Sequence, residues 1–288
     1  MFFAVIPFTH SIGTEPLIYS GETLGEHIAE IGSIVEIPYG NKMEHGIIAK
    51  IYHDCPFSDL SEAFNRIKPI ASIITEKQLL APYQIDMIIY ISQKYMIPVH
   101  RTLGIFLSRP ILSRLEKKSY EPIEKKSIPT NTQIINQIHI LKDAIVTPDV
   151  VEPYIQGNTV IILADDFALI PYTQKYHDNS QVLFLKNEMT DTRKAQAWID
   201  IKNGVFPIIF GTRKILYYNL NQYQNIIYIE DSLGADYWHY PIRIRYNDIL
   251  HTFHQANSST SLRILTSVPT ISTLTQFRHF DIQNITAN

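Results

Sequence analysis

Apolar positions change their rhythm twice along this chain. Up to about residue 74 they come as short β-branched or aromatic runs, FFAVIPF, SIVEIPYG, HGIIAKIYH and RIKPIASII, separated by Gly, Asn, Asp and Pro. Runs of that length and spacing predict strands forming a small barrel or open sheet. From Pro82 the period lengthens: Ile85, Ile88, Ile89 and Ser92/Met96 fall at helical spacing with proline in the first turn. A second helix, broken from the first at Pro98, is expected from Val99 to about Leu107. Residues 113–133 are charged, contain two prolines and have no apolar period, as a linker does. Beyond them TVIILA, VLFL, FPIIFG, NIIYIE and SLRILT are near-continuous apolar runs. Helical stretches such as Asp191–Ile201 and Asn247–Ala256 lie between them. Strands buried on both faces and alternating with helices imply a parallel sheet. The expected architecture is an α+β domain over residues 1–112, a linker over 113–133 and an α/β domain over 134–288.

Composition narrows the class. With 288 residues, 45% of them apolar and 18% charged, the chain can fill two ordinary cores and is not a disordered one. No apolar run reaches the roughly 18–20 residues of a membrane span. MFFAVIPFTH has no basic residue ahead of it and reads as a strand rather than a signal peptide. Cys55 is the only cysteine, which excludes an intramolecular disulfide and a cysteine-rich zinc site. A cytoplasmic protein is expected. The net charge of −3 does not advertise a nucleic-acid binder. Between Arg66 and Lys126, however, eleven Lys/Arg face five Asp/Glu. That stretch reads either as a solvated surface or as a phosphate footprint.

FFAVIP, Leu17-Ile18-Tyr19, the run from Gly32 to Gly40, Gly46–Ile51 and Ile67–Ile70, in that order, resemble the 3′-DNA-binding domain of the primosomal protein N′ family, the replication-restart helicases. The family's apolar strand ending in Pro is FFAVIP, and its L-x-Y or F-D-Y element is Leu17-Ile18-Tyr19. Its G-x-x-V-x-V-P-F-G pattern is Gly32 to Gly40, with Val35, Pro38 and Tyr39 in place. Its next strand is similar to Gly46–Ile51 and its L-K-P strand to Ile67–Ile70, and its Y-x-x-P-x-G-x-x-L helix end is similar to Tyr95–Leu103. The second half resembles the family's first helicase lobe, which implies a RecA-like sheet. The matching segments are Leu163–Leu169, Arg193–Trp198 with Gly204, Ile208–Arg213, Arg243 with Asp248, and Thr266–Thr270. The order of these segments is more specific than any one of them.

The departures carry the functional expectation. The family's phosphate loop, L-L-x-G-V-T-G-S-G-K-T-E-V-Y, aligns without gaps to Leu141–Tyr154. Val150 stands at the Lys position and Val151 at the Thr position, Pro148 has no N–H to donate, and Asp149 repels phosphate. No other phosphate loop occurs, so no ATPase activity and no cofactor are expected. The family's D-E-E-H is represented by Glu230-Asp231-Ser232-Leu233, which reads as a weak cation site or as a solvated acidic strand end. The family's zinc cysteines and second lobe have no counterpart, and the stretch from Arg114 to Asn131 is too short for its winged helix. His251-x-x-His254 could ligate a metal or be an exposed or core-satisfied pair. Phe184, Phe206, Phe210 and Tyr228 read as core.

In the family a small pocket takes the terminal nucleotide of a nascent 3′ end through an aromatic-acidic pair, a turn glycine and a lysine. The resemblance carries these to Leu17, Ile18, Gly40 and Lys68, of which Gly40 and Lys68 keep the expected chemistry. Tyr39 beside the turn either stacks on a base or packs as an ordinary aromatic. The reading that follows is an ATPase-inactive DNA-binding protein of replication restart. Its partners would be forks, 3′ ends or single strands, with other replication proteins besides and no membrane. The alternative is a scaffold of the replication machinery that no longer binds DNA, and a product without a selected role is a third reading.

Overall fold

The computed structural model describes residues 1–9, 13–22, 29–56, 67–75, 78–108, 111–112, 133–142, 146–230 and 244–286. They form two compact units, Met1–Arg109 and Pro110–Asn288. All of the expected linker except Gln133 lies outside the described residues, as do Arg243 and Asp231–Leu233.

The first unit is built on a five-stranded antiparallel sheet of β1 (Phe2–Pro7), β2 (Leu17–Ser20), β3 (Ile34–Tyr39), β4 (Lys42–Tyr52) and β5 (Ser72–Thr75), in the order β2-β1-β4-β3-β5. The segment leading into β5 joins the two edges. Ser20 N donates to Lys68 O at 3.0 Å and Ile70 N to Ser20 O at 2.9 Å, while Ala71 N donates to Glu36 O at 2.9 Å. With both edges engaged the sheet closes as a small barrel, the tighter of the two expected forms. Register shifts at Ala4/Val5 and Ile34/Val35 supply local curvature. Phe3, Val5, Tyr19, Val35, Ile37, Ile48 and Ile70 fill the interior.

Every residue of β1 is buried, and two helices pack on the sheet, one against β4 and the next against β1. The first of them, α1 (Pro82–Tyr95), starts on Pro82, and the Gln84 side chain accepts the Ala81 N–H at 2.9 Å. It ends at Met96, a non-glycine residue at φ 53°, where Ile97 N reaches back to Ser92 O at 2.9 Å. Pro98 then opens α2 (Val99–Phe106).

The second unit is a seven-stranded parallel sheet of β6 (Asn136–Lys142), β7 (Thr159–Leu163), β8 (Val182–Leu185), β9 (Ile208–Thr212), β10 (Asn225–Glu230), β11 (Ser261–Thr266) and β12 (Asp281–Thr286), ordered β12-β6-β11-β10-β7-β9-β8. Its α-helices are α3 (Pro148–Val151), α4 (Ile170–Lys175), α5 (Asp191–Lys202), α6 (Tyr246–Ala256) and α7 (Ile271–Gln276). This is an α/β, RecA-like arrangement. The apolar runs of β7 and β11 are buried throughout, as strands covered on both faces must be. Phe210 is fully buried and Tyr228 is 3% exposed, so these two are core as expected, while Phe184 is half-buried and stacks on Phe210 at 5.2 Å, and Phe206 is half-buried. Among the described residues no helix is long and apolar enough to cross a membrane.

Candidate nucleic-acid interface

β3 and β4 are joined by a two-residue turn, Gly40-Asn41, closed by the pair Tyr39↔Lys42. Gly40 has φ 59° and Asn41 does not share that sign, so the positive φ falls on the first central residue, as in a type II′ hairpin turn. No atom lies within 4 Å of where a Gly40 side chain would begin, so the glycine serves the backbone rather than a tight contact.

Lys68 meets this turn. Its Nζ donates to the Gly40 carbonyl at 3.1 Å, and its own carbonyl is held by Ser20 N, which fixes the backbone that presents the ammonium. No ion pair to Lys68 occurs among the described residues, so the cation remains able to attract phosphate. Glu36 on β3 is engaged elsewhere, accepting the Ser72 hydroxyl at 3.2 Å. Behind the turn, the Tyr19 hydroxyl faces Pro38 O at 3.5 Å. Its phenol is pushed up to about 12 by burial and then by the neighbouring Tyr39, so it stays neutral and keeps its proton to donate.

The structure therefore brings Gly40 and Lys68 into direct contact and sets Tyr39 beside Tyr19. Leu17 and Ile18 lie on β2, paired with Val5 and Ala4, and reach the cluster only through the following Tyr19 and Ser20. Leu17 is 37% exposed and Ile18 half-buried. Tyr19 is the residue that site reasoning missed. It stands in the same Leu-Ile-Tyr element, but nothing in the sequence shows that its hydroxyl points at the hairpin. Arg66 and residues 113–132, which carry much of the basic excess, lie outside the described residues.

The phosphate-loop positions of the second unit do different work. Residues 143–145 lie outside the described residues, and Pro148–Val151 form one helical turn. Val151 is fully buried and Val150 packs against the same core, with Leu141, Ile161, Tyr172 and Phe210. The nearby ammonium of Lys175 is already taken by Asp149 at 2.7 Å and Glu152 at 2.5 Å. Two carboxylates to one ammonium leave a negative balance, which disfavours an anion.

Glu230 corrects one expectation. It is not a solvated strand end: it is 4% exposed and accepts from the Thr270 hydroxyl at 2.8 Å and from the Thr273 hydroxyl. Thr270 also caps α7, accepting from Thr273 N at 3.1 Å. A carboxylate held on threonine donors satisfies the fold. The Arg213 guanidinium is likewise interior, 4.9 Å over the Tyr246 ring. His251 and His254 pack edge-on against Phe277 and Phe280, and burial, with His279 and His251 nearby, pushes His254 down to about 4. That is the core-satisfied reading of the pair. No group of three or more His, Cys, Asp or Glu able to hold a metal occurs among the described residues.

Comparison with known proteins bears on the first unit. Residues 14–108, about a third of the chain, match the PriA family model described as the 3′DNA-binding domain (3′BD). The likeness belongs to the N-terminal unit. A search of curated proteins finds no match. Among solved structures, the C-terminal domain of the DEAD-box protein Dbp5 is 13% identical with a TM-score of 0.38, covering 53% of this chain and 90% of that chain. The S. cerevisiae Dbp5 C-terminal domain bound to a Gle1 variant and IP6 is 11% identical with a TM-score of 0.37, over 54% of this chain and 90% of that one. Neither likeness is close enough to establish a shared fold.

Proposed function

We propose that this chain is a DNA-binding protein similar to primosomal protein N′, recognising DNA ends or forked DNA in replication restart without hydrolysing ATP. The observation that carries this reading is the 3′DNA-binding-domain match over residues 14–108, within which Lys68 is fixed on the Gly40 turn. An exposed ammonium with no ion pair among the described residues, beside a hairpin aromatic, suits a phosphate and an adjacent base. Val150 and Val151 in the core and the acidic surroundings of Lys175 favour a unit that binds no nucleotide. In this reading residues 113–133 connect the two domains.

End selectivity should be weak. Recognition of a terminal hydroxyl needs an acceptor, and Leu17 and Ile18 offer only hydrocarbon. A hydroxyl buried there unpaired would cost on the order of 1–3 kcal/mol. Lys68→Ala is expected to weaken binding to a fork several-fold and to lower the salt slope by about 1. Forks ending in a 3′-hydroxyl or a 3′-phosphate should differ less than tenfold in affinity, and Ile18→Asp should widen that ratio in favour of the hydroxyl. A preference of tenfold or more for the hydroxyl in the unmodified protein would show a working end pocket and sink the selectivity claim. Affinity indifferent to both salt and Lys68→Ala would favour the scaffold reading.

A further inference from the structure

The sheet face that carries the core of the second unit is polar at one corner. Leu141 on β6, Ile161 and Leu163 on β7, Ile227 on β10 and Leu265 on β11 form its apolar part. Side chains two positions apart in a strand share a face, and so do register partners in neighbouring strands. On that same face, nearer the start of the strands, Gln137 lies beside Arg263 and His139 beside Leu265, with Asn225 at the head of β10. His139 is 3% exposed and Arg263 5%, so both ionisable groups are interior.

The Arg263 guanidinium has fewer partners than donors. Its hydrogen bond is to the Asn225 side-chain oxygen, at 3.4 Å, and its central carbon lies 5.9 Å from the centre of the Tyr154 ring. No carboxylate pairs with it among the described residues. Asp281, beside Gln137 on β12, is one strand further out and exposed, and Glu152, two residues before Tyr154, is held on Lys175 at 2.5 Å. A guanidinium presents several N–H groups in a planar fork, and burying one without an anion is costly. The sealed polar atoms that lack a partner include the Arg213 Nε but no nitrogen of Arg263, so its unbonded N–H groups reach solvent through a gap. His139 does not compete there. Its Nε2 lies 3.1 Å from Gln137 Oε1, an acceptor, and so carries the proton, while Nδ1 accepts from the Tyr154 hydroxyl at 3.5 Å. Burial, and then Arg263, lower its pKa, so the ring stays neutral. With its oxygen so engaged, the Gln137 amide keeps its NH2 group to donate. Tyr154, half-buried and edge-on to His139 at 5.0 Å, covers the corner.

We propose that Arg263, with the Gln137 amide and beneath the Tyr154 ring, is a site for a small free oxyanion of the phosphate type. The fork matches two oxygens of a tetrahedral anion, and the anion supplies the countercharge that the fold omits. At 5% exposure the guanidinium is out of reach of the phosphodiesters of a DNA strand. The site is therefore separate from the interface on the first unit and stands whether or not that interface binds DNA.

The test is urea unfolding of the full chain, followed by tryptophan fluorescence, in sodium phosphate and in sodium chloride at matched ionic strength. The expected result is a midpoint that rises with phosphate and levels off in the millimolar range, above its value in chloride. Arg263→Lys keeps the charge but loses the fork, and should unfold cooperatively in chloride without the saturable rise in phosphate. A midpoint that climbs without levelling off, or that rises equally in the parent and in Arg263→Lys, reflects general exclusion of phosphate from the protein surface and overturns the site. If Arg263→Lys does not fold, amide spectra of the parent decide. Phosphate should then shift the signals of residues 137–139, 154 and 262–264 to a plateau, and signals there that do not move overturn the proposal.

Discussion

Gly32→Ala is expected to destabilise the first unit by on the order of 3 kcal/mol, combining left-handed strain of about 1–3 kcal/mol with an overpacking cost of similar size. Gly32 has φ 88°, and a side chain there would start 2.0 Å from the Leu80 carbonyl oxygen and 3.0 Å from Gln78 Cγ. Neither side can give way easily. Gly32 N donates to Ile48 O at 2.7 Å, and Gly32 O accepts from Leu79 N at 2.7 Å, so one residue pins β4 to the start of the helical layer. Gly40→Ala is the matching control: its φ is also positive, at 59°, but the space around it is open, so only the backbone cost of about 1 kcal/mol remains. Thermal melting followed by far-UV circular dichroism, with amide exchange read over residues 34–52, separates the two. If Gly32→Ala melts like the parent, or Gly40→Ala costs more, the barrel is not assembled around Gly32 as described.

The second unit should lose stability in acid because of His254. Its side chain is 8% exposed against Phe280, and burial, followed by His279 and His251, lowers it from 6.5 to about 4. Above pH 6.5 the ring is neutral both folded and unfolded, and the contribution is fully present. As the pH falls from 6.5 towards 4, the unfolded chain takes up a proton that the folded chain refuses. Stability then drops by as much as about 3 kcal/mol, and below 4 this group takes away no more. His139 is shifted the same way, by burial and then by Arg263, and adds to the trend. Both tryptophans, Trp198 and Trp238, belong to this unit, so urea unfolding followed by tryptophan fluorescence reports on it. His254→Phe should flatten the fall in midpoint between pH 7 and pH 4.5. An identical fall in both proteins would place the acid sensitivity elsewhere.

What the sequence made legible follows from what its patterns encode. The β1, β3 and β4 runs, the helix start at Pro82 and the five apolar strands of the second unit were readable because burial on one or both faces writes itself as periodicity. β12, with the sequence DIQNIT, escaped because it is a largely polar edge strand that exists only by pairing with β6. The single turns of α3, α4 and α7 are too short to show a period. At the candidate site, Gly40 and Lys68 were named only through the resemblance, as a turn glycine and a lysine, and their contact, which spans 28 positions and comes from barrel closure, was not legible. Glu230 was misread because its threonine partners lie some 40 residues further along, where α7 folds back against β10.

The central claim is DNA binding that owes nothing to ATP. The most direct test is a titration of the full chain against fork, duplex and single-stranded DNA at 50 and 200 mM salt, repeated with ATP and magnesium. The account predicts binding that weakens steeply between the two salt concentrations, as phosphate contacts release counterions, and isotherms that do not move when ATP is added. Absence of binding to every DNA at the lower salt, or an affinity that ATP changes, would contradict it.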